Sequence, residues 1–277
     1  MANELFSNNQ NAVIEIPQIP NVSSYTLTVQ GDVLASSSKA TLTINTAMGS
    51  IIIPANMLQN MDNISGKTVE ITMSSGDKSR LPVELQNSIG NRPMIQLTLA
   101  IDGIRTYWNN PQAPVQVLLP YTPTAAELEK PEAILIWYID NNGNVVTMPN
   151  SWYRQSGGVV SFSTIHFSDF AVAYNQVEFN DVPTNAWYSA AVSFIAARGI
   201  TVGTGNNNYS PDWKLTRGQY ITMIMRAYGL EPDKNPADNF TDAGNTWYTG
   251  YLAAAKRLGI AKGVGNNMFA PEKEITR

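Results

Sequence analysis

Apolar and polar residues fall into two regimes along the chain. Up to about Tyr174 they alternate in short runs, and beyond Phe179 they recur at helical spacing. The short runs are Val13–Ile16, Tyr25–Val29, Ala40–Ile44, Ser50–Ile53, Thr68–Met73, Leu81–Leu85, Met94–Ile101, Val115–Leu119, Ala133–Ile139, Val145–Met148, Val159–Phe162 and Phe170–Tyr174. Gly, Pro, Asn and Asp punctuate them, which predicts an all-β sandwich over residues 1–174. Asp140-Asn-Asn142-Gly143-Asn144 between two apolar runs predicts a hairpin turn rather than a calcium loop, because too few oxygen ligands stand in it. The stretches starting at Leu58 and at Thr124 read as short helical turns.

After a short linker, residues 175–178, the chain says the same thing twice. Phe179-Asn-Asp181 returns as Phe240-Thr-Asp242, Trp187-Tyr188 as Trp247-Tyr248, and Gly199-Ile200 as Gly259-Ile260. Gly203-Thr-Gly205-Asn206-Asn207 returns as Gly263-Val-Gly265-Asn266-Asn267, Tyr209-Ser-Pro211 as Phe269-Ala-Pro271, and Leu215-Thr216-Arg217 as Ile275-Thr276-Arg277. Such a period marks repeated supersecondary units. Each unit reads as helix, loop, helix, over residues 179–235 and a truncated 239–277. Trp187, Ala191, Phe194, Ile195 and Arg198 make one predicted helix face; Trp247, Tyr251, Ala254, Ala255 and Leu258 make its counterpart. Gly199 and Gly259 stand where a helix C-terminus wants a left-handed residue. Thr216 with Gln219 has capping-box spacing ahead of an apolar face of Ile221, Ile224, Met225 and Tyr228, and Thr276 should cap the matching helix.

These ordered elements resemble S-layer homology repeats, the modules that hold proteins on bacterial cell walls. The resemblance implies helical repeats with a groove for an acidic, often pyruvylated, secondary cell-wall polysaccharide. It further implies an extracellular location at the cell wall or S-layer, with other S-layer subunits as neighbours. The groove positions it implies are Asp181, Trp187, Gly203 and Arg217, with Asp242, Trp247, Gly263 and Arg277. The residue types suit that chemistry: a guanidinium grips a carboxylate bidentately and an indole offers its face to a sugar ring. The bland alternative makes the two Trp core residues and the two Asp caps. This sequence departs from the family's usual Thr-Arg-Ala-Glu by having Gly218-Gln219, and it carries fewer than the usual three repeats.

Composition narrows the partners. The 22 acidic and 18 basic residues leave too little positive charge for nucleic acid to be the main partner. There is no cysteine, hence no disulfide, thiolate metal site or thiol nucleophile. No apolar run reaches membrane-spanning length, so no membrane insertion is expected. The stretch Met1 to Ser7 lacks the basic start and apolar core of a signal peptide, and reads as the start of a mature fragment with an added Met. A lone histidine rules out a His-rich zinc site, and no cofactor is expected.

A second resemblance covers roughly residues 45–174. Gly49-Ser-Ile51-Ile-Ile53-Pro54 with Leu58, then Pro114-Val115 to Pro120 with Ile134 to Tyr138, then His166-Phe167-Ser168-Asp-Phe170 resemble in order the zonula-occludens/netrin-receptor β-domain. Some proteins with that last tripeptide cut themselves between Phe and Ser. The resemblance therefore implies an alternative function as a self-processing domain whose fragments stay associated. Ser168 Oγ would attack the Phe167 carbonyl in an N-to-O acyl shift, His166 would serve as general base, and water would then hydrolyse the ester. The structural alternative places His166 and Ser168 on one side of an ordinary strand with Phe167 in the core. No turnover enzyme is expected on either reading.

Overall fold

The computed structural model describes residues 11–140 and 142–275. The N-terminal stretch, Asn141, the second cap Thr276 and the candidate Arg277 lie outside those residues. The chain divides into two compact units, Met1–Tyr174 and Asn175–Arg277.

The described residues of the first unit form thirteen strands: β1 Ala12–Glu15, β2 Ser24–Gln30, β3 Thr41–Thr46, β4 Gly49–Pro54, β5 Thr68–Ser75, β6 Met94–Ile101, β7 Ile104–Arg105, β8 Val115–Pro120, β9 Ile134–Ile139, β10 Val145–Met148, β11 Trp152–Arg154, β12 Val159–Thr164 and β13 Asp169–Tyr174. One sheet has the order β1-β3-β4-β8-β12-β11, the other β10-β9-β13-β6-β5-β2 with β7 beside β6. All pairings are antiparallel except β1 with β3. Alternate residues of both sheets meet in one core: Leu42, Ile51, Ile53, Val117, Leu119 and Phe162 from the first, Val69, Ile71, Leu97, Leu99, Ile136 and Phe170 from the second. That division follows from period-two alternation, since one face of each strand sheds its apolar area from water and the other stays wet.

Leu81–Leu85 is not a strand. Pro82 opens a helix, α2 (Val83–Ile89), which follows a short α1 (Gly31–Leu34). Pro82 has no N–H to give a ladder, and its carbonyl accepts from Leu85 and Gln86 instead. Helix α2 brings Ile89 to a second apolar cluster with Met94, Ile139 and Ala171, on the far side of the second sheet. This cover explains why β9 and β13 are apolar on both faces. Thr124 starts α3 (Ala125–Leu128) with a capping box to Glu127, whereas the stretch from Leu58 is a chain of turns. The hairpin between β9 and β10 forms as expected: Asp140 and Asn144 pair, Gly143 is left-handed, and Asp140 Oδ1 accepts the Asn142 and Asn144 amides.

The second unit contains α4 (Ser189–Ala197), α5 (Arg217–Ala227) and α6 (Thr249–Arg257). The capping box of α5 is present: Thr216 Oγ1 accepts from Gln219 N at 3.3 Å and Gln219 Oε1 from Thr216 N at 2.9 Å. Gly199 and Gly259 are left-handed, and the amides of Ile200 and Ile260 reach back to Ile195 and Ala255. The buried faces are rotated from the expected ones. Helix α4 buries Val192, Ser193, Ala196 and Ala197 rather than Trp187 and Ala191, and α6 buries Leu252 and Ala253 alongside Ala254 and Ala255. Each Trp precedes its helix, so helical spacing counted from it points one step astray. Tyr228, at the C-cap of α5, is 76% exposed, and Thr222 is buried in its place.

Candidate functional site

Each repeat opens with an aspartate that acts as a clamp. Asp181 Oδ1 and Oδ2 accept the amides of Tyr209 and Ser210 at 2.8 and 2.7 Å; Asp242 does the same for Phe269 and Ala270 at 2.8 and 2.7 Å. Ser210 and Ala270 are left-handed, at φ 59° and 55°, so the clamp holds a backbone turn that neither residue type favours. The amide bonds, Tyr209's first, hold Asp181 below the usual carboxylate range. Burial pushes Asp242 up, but the Phe269 and Ala270 amides outweigh it, and the Arg217 charge lowers it further.

The Gly-x-Gly-Asn-Asn loops are tight hairpins. Asn206 and Asn207 are both left-handed, as are Asn266 and Asn267, which is the signature of a type I′ turn. Thr204 N reaches Asn208 O at 2.7 Å and Val264 N reaches Met268 O at 2.7 Å. A Cβ on Gly203 would stand 2.3 Å from Asn208 O and 2.7 Å from the Phe179 ring; on Gly263 it would stand 2.4 Å from Met268 O. Both glycines are therefore required by the loop that carries them.

Arg217 belongs to the first repeat but is seated on the second. Its Nε donates to Phe269 O at 2.8 Å, and the guanidinium lies 4.5 Å from the centre of the Phe269 ring. Backbone pairing fixes this register: Ile275 N donates to Leu215 O, Arg217 N to Lys273 O and Gly218 N to Pro271 O. The two Nη groups of Arg217 make no hydrogen bond or ion pair with other described residues. Next to it, Gly218 lies against Tyr248, whose ring would be 3.1 Å from an added Cβ. Tyr248 OH donates to Glu272, and its ring meets that of Trp247 edge-on at 5.2 Å. Trp247 is 58% exposed and Trp187 94%. Neither indole is a core residue, so the bland reading of the two Trp fails, while the two Asp do hold backbone amides as caps do.

Arg217 and Asp242 thus meet at Phe269, between the repeats. Trp247 lies against Tyr248, which packs on Gly218, and Gly263 lies in the loop against Phe240. In the first repeat, Asp181 holds the Tyr209 turn, Gly203 lies against Phe179 and Trp187 against Tyr188. The sequence motif did not mark Phe269 and Tyr248 as site residues; their recurrence beside Pro271 and Trp247 was the available signal.

His166, Phe167 and Ser168 do not lie in a strand. They form the arch by which the chain leaves β12 in one sheet and enters β13 in the other. Thr164 Oγ1 donates to His166 O at 2.6 Å and accepts from its amide, turning the chain out of β12. The His166 ring packs 4.5 Å from Tyr138 and 6.0 Å from Phe170, and burial pushes its pKa down. Phe167 packs on Trp108 at 5.0 Å. Ser168 Oγ donates to Ile139 O at 2.9 Å, so its proton is directed away from His166. Among the described residues no group of three or more His, Cys, Asp or Glu side chains is placed to hold a metal, and no helix is long and apolar enough to cross a membrane.

Residues 178–221 and 239–277 match the S-layer homology domain. The chain is 29% identical over 128 residues to an S-layer protein of Bacillus thuringiensis subsp. finitimus, covering 46% of this chain and 16% of that protein. It is 37% identical over 123 residues to a cell surface protein of Thermoanaerobacter kivui, covering 42% and 16%. An amylopullulanase of Thermoanaerobacterium thermosulfurigenes is 28% identical over 165 residues, covering 59% of this chain and 8% of the enzyme. The chain therefore spans less than a fifth of each of these relatives. The matches indicate an extracellular location, at the cell wall or in the S-layer.

Proposed function

We propose that this chain is a cell-surface protein held noncovalently on the wall by the junction between its two S-layer homology repeats. The ligand would be an acidic secondary cell-wall polysaccharide, with pyruvyl or another carboxylate as its charged group. One observation carries the reading: Arg217 is tethered through Nε and its ring stack on Phe269 while its Nη groups make no hydrogen bond to the other described residues, and the Trp247 indole of the same repeat as Phe269 is exposed. A tethered guanidinium loses little freedom on gripping an anion, and two parallel N–H donors suit a carboxylate. Trp247 supplies a face for the neighbouring sugar ring. Binding is equilibrium recognition with no covalent step. The first unit, read as a β-sandwich of the zonula-occludens/netrin-receptor type, is the domain so displayed, and its His166-Phe167-Ser168 arch is read as structural.

Co-sedimentation with purified cell walls tests this. The full chain should pellet with walls, remain soluble with walls stripped of their secondary polysaccharide, and lose binding on Arg217→Ala. Pelleting that survives both changes refutes the proposal.

A further inference from the structure

The two sheets of the first unit end in four edge strands, and three of them are short: β1 and β10 have four residues and β11 has three. Short edges are one way proteins avoid strand-to-strand association. The fourth, β2, runs seven residues, Ser24-Tyr-Thr-Leu-Thr-Val-Gln30, with no Pro, Gly or charged side chain. It pairs with β5 along its whole length on one side, and among the described residues with no strand on the other. Within β2 itself none of the usual sequence protections, a charge, a Pro or a bulge-forming Gly, is present.

The core beneath it is also unfinished. A cavity of about 190 Å³ lies between the sheets here, lined by Ile14 of β1 and the following Ile16, Tyr25 and Leu27 of β2, and Ile71 and Met73 of β5. The inward residues Tyr25 and Leu27 are half-buried, whereas their neighbours Ile71 and Met73 are buried.

We infer that β2 is a self-association edge, and that its occupant is β2 of a second copy of this chain, paired antiparallel about a two-fold axis at Leu27. This goes beyond the wall-binding reading and does not depend on it. The sequence of β2 is complementary to itself in that register. Outward-facing Thr26 meets Thr28 of the other copy and Ser24 meets Gln30; inward-facing Tyr25 meets Val29, and Leu27 meets Leu27. Hydroxyl pairs and aromatic–β-branched pairs are favourable cross-strand neighbours, and no like charges oppose. The outer face already carries such a row, for Thr26 Oγ1 lies 2.8 Å from Thr72 Oγ1, and Thr72 is in register with Thr98. A slip by one residue would set apolar against polar faces, and among the registers that keep the faces aligned the one centred on Leu27 pairs all seven residues of β2.

Sedimentation equilibrium of the full chain over a wide concentration range tests the inference. The mass should rise from 30.3 kDa toward twice that value. The double variants Thr26→Lys/Thr28→Lys and Thr26→Glu/Thr28→Glu, which change only exposed side chains, should each need at least tenfold higher concentration to associate. Mixing the two should restore a heterodimer. A wild-type chain that stays at one mass, or an association untouched by the lysine pair or not restored by mixing, overturns it. Amide exchange of the wild type needs no variant: Tyr25–Val29 should slow as concentration rises, and unchanged exchange overturns the inference as well.

Discussion

Arg217 lies over the ring of Phe269, 4.5 Å from its centre, and donates Nε to the carbonyl of that same residue at 2.8 Å. One repeat thus supplies the cation and the next supplies its seat. Removing the guanidinium takes away charge-assisted bonds worth about 1.5–3 kcal/mol, or roughly ten- to hundred-fold in affinity. Arg217→Lys should recover only part of this, because an ammonium keeps the charge but neither the Nε tether nor the paired donors. Isothermal titration with wall polysaccharide gives the ranking wild type, Lys, Ala; equal affinities for all three would separate Arg217 from binding.

Asp242→Asn keeps the shape of the clamp but replaces one acceptor with a donor facing an amide. The loss should be about 1–3 kcal/mol in stability of the second unit, seen as a lower calorimetric midpoint. Asp181→Asn should lower the midpoint in the same direction through the first repeat.

Glycine substitutions should separate close approach from conformation. Gly259 has φ 71° and nothing within 4 Å of an added Cβ, while Gly263 has φ 76° and a carbonyl at 2.4 Å. Gly259→Ala should cost about 1–2 kcal/mol for the left-handed conformation alone. Gly263→Ala carries that cost plus the displacement of Met268, so thermal melts should rank it clearly below Gly259→Ala.

Burial pushes the His166 pKa below its ordinary value in the folded protein. As pH falls through the unfolded value of about 6.5, the unfolded chain takes up a proton that the folded chain does not. This contribution to stability is complete above that pH and lost progressively below it, until the lowered folded pKa is passed. His166→Gln should flatten the slope of denaturation midpoint against pH just below 6.5. Asp181 and Asp242, also lowered, act in a separate window below about 3.8.

With Ser168 donating to Ile139 and His166 packed between Tyr138 and Phe170, the geometry favours an intact arch. Mass measurement under denaturing conditions should give one species of full length. Two fragments meeting at Phe167–Ser168 would instead establish self-cleavage.

Much of this was legible in the sequence, for reasons that differ by element. Period-two alternation located β3 to β5 and β8 because each buries a single face. The capping box at Thr216 and the helix ends at Gly199 and Gly259 are local motifs, and local motifs carry their own geometry. Leu81–Leu85 misled because its apolar residues serve a helix lying on a sheet, a tertiary role that periodicity over five residues cannot separate from a strand. The alternative that placed His166-Phe167-Ser168 in an ordinary strand fails because these residues carry the chain from one sheet to the other, a tertiary role that the tripeptide itself does not signal. At the candidate site, the repeat marked Asp242 and Trp247 as candidates, but only the pairing of residues 215–217 with 273–275 reveals on which repeat Arg217 is seated.

That pairing has a consequence for how such arrays diverge. An arginine encoded in one repeat completes the seat of its neighbour, so a repeat moved by recombination into a foreign array carries half of one site and abandons half of another. If the proposed wall-binding role holds, ligand preference would be inherited by adjacent pairs, and exchange of single repeats would scramble it.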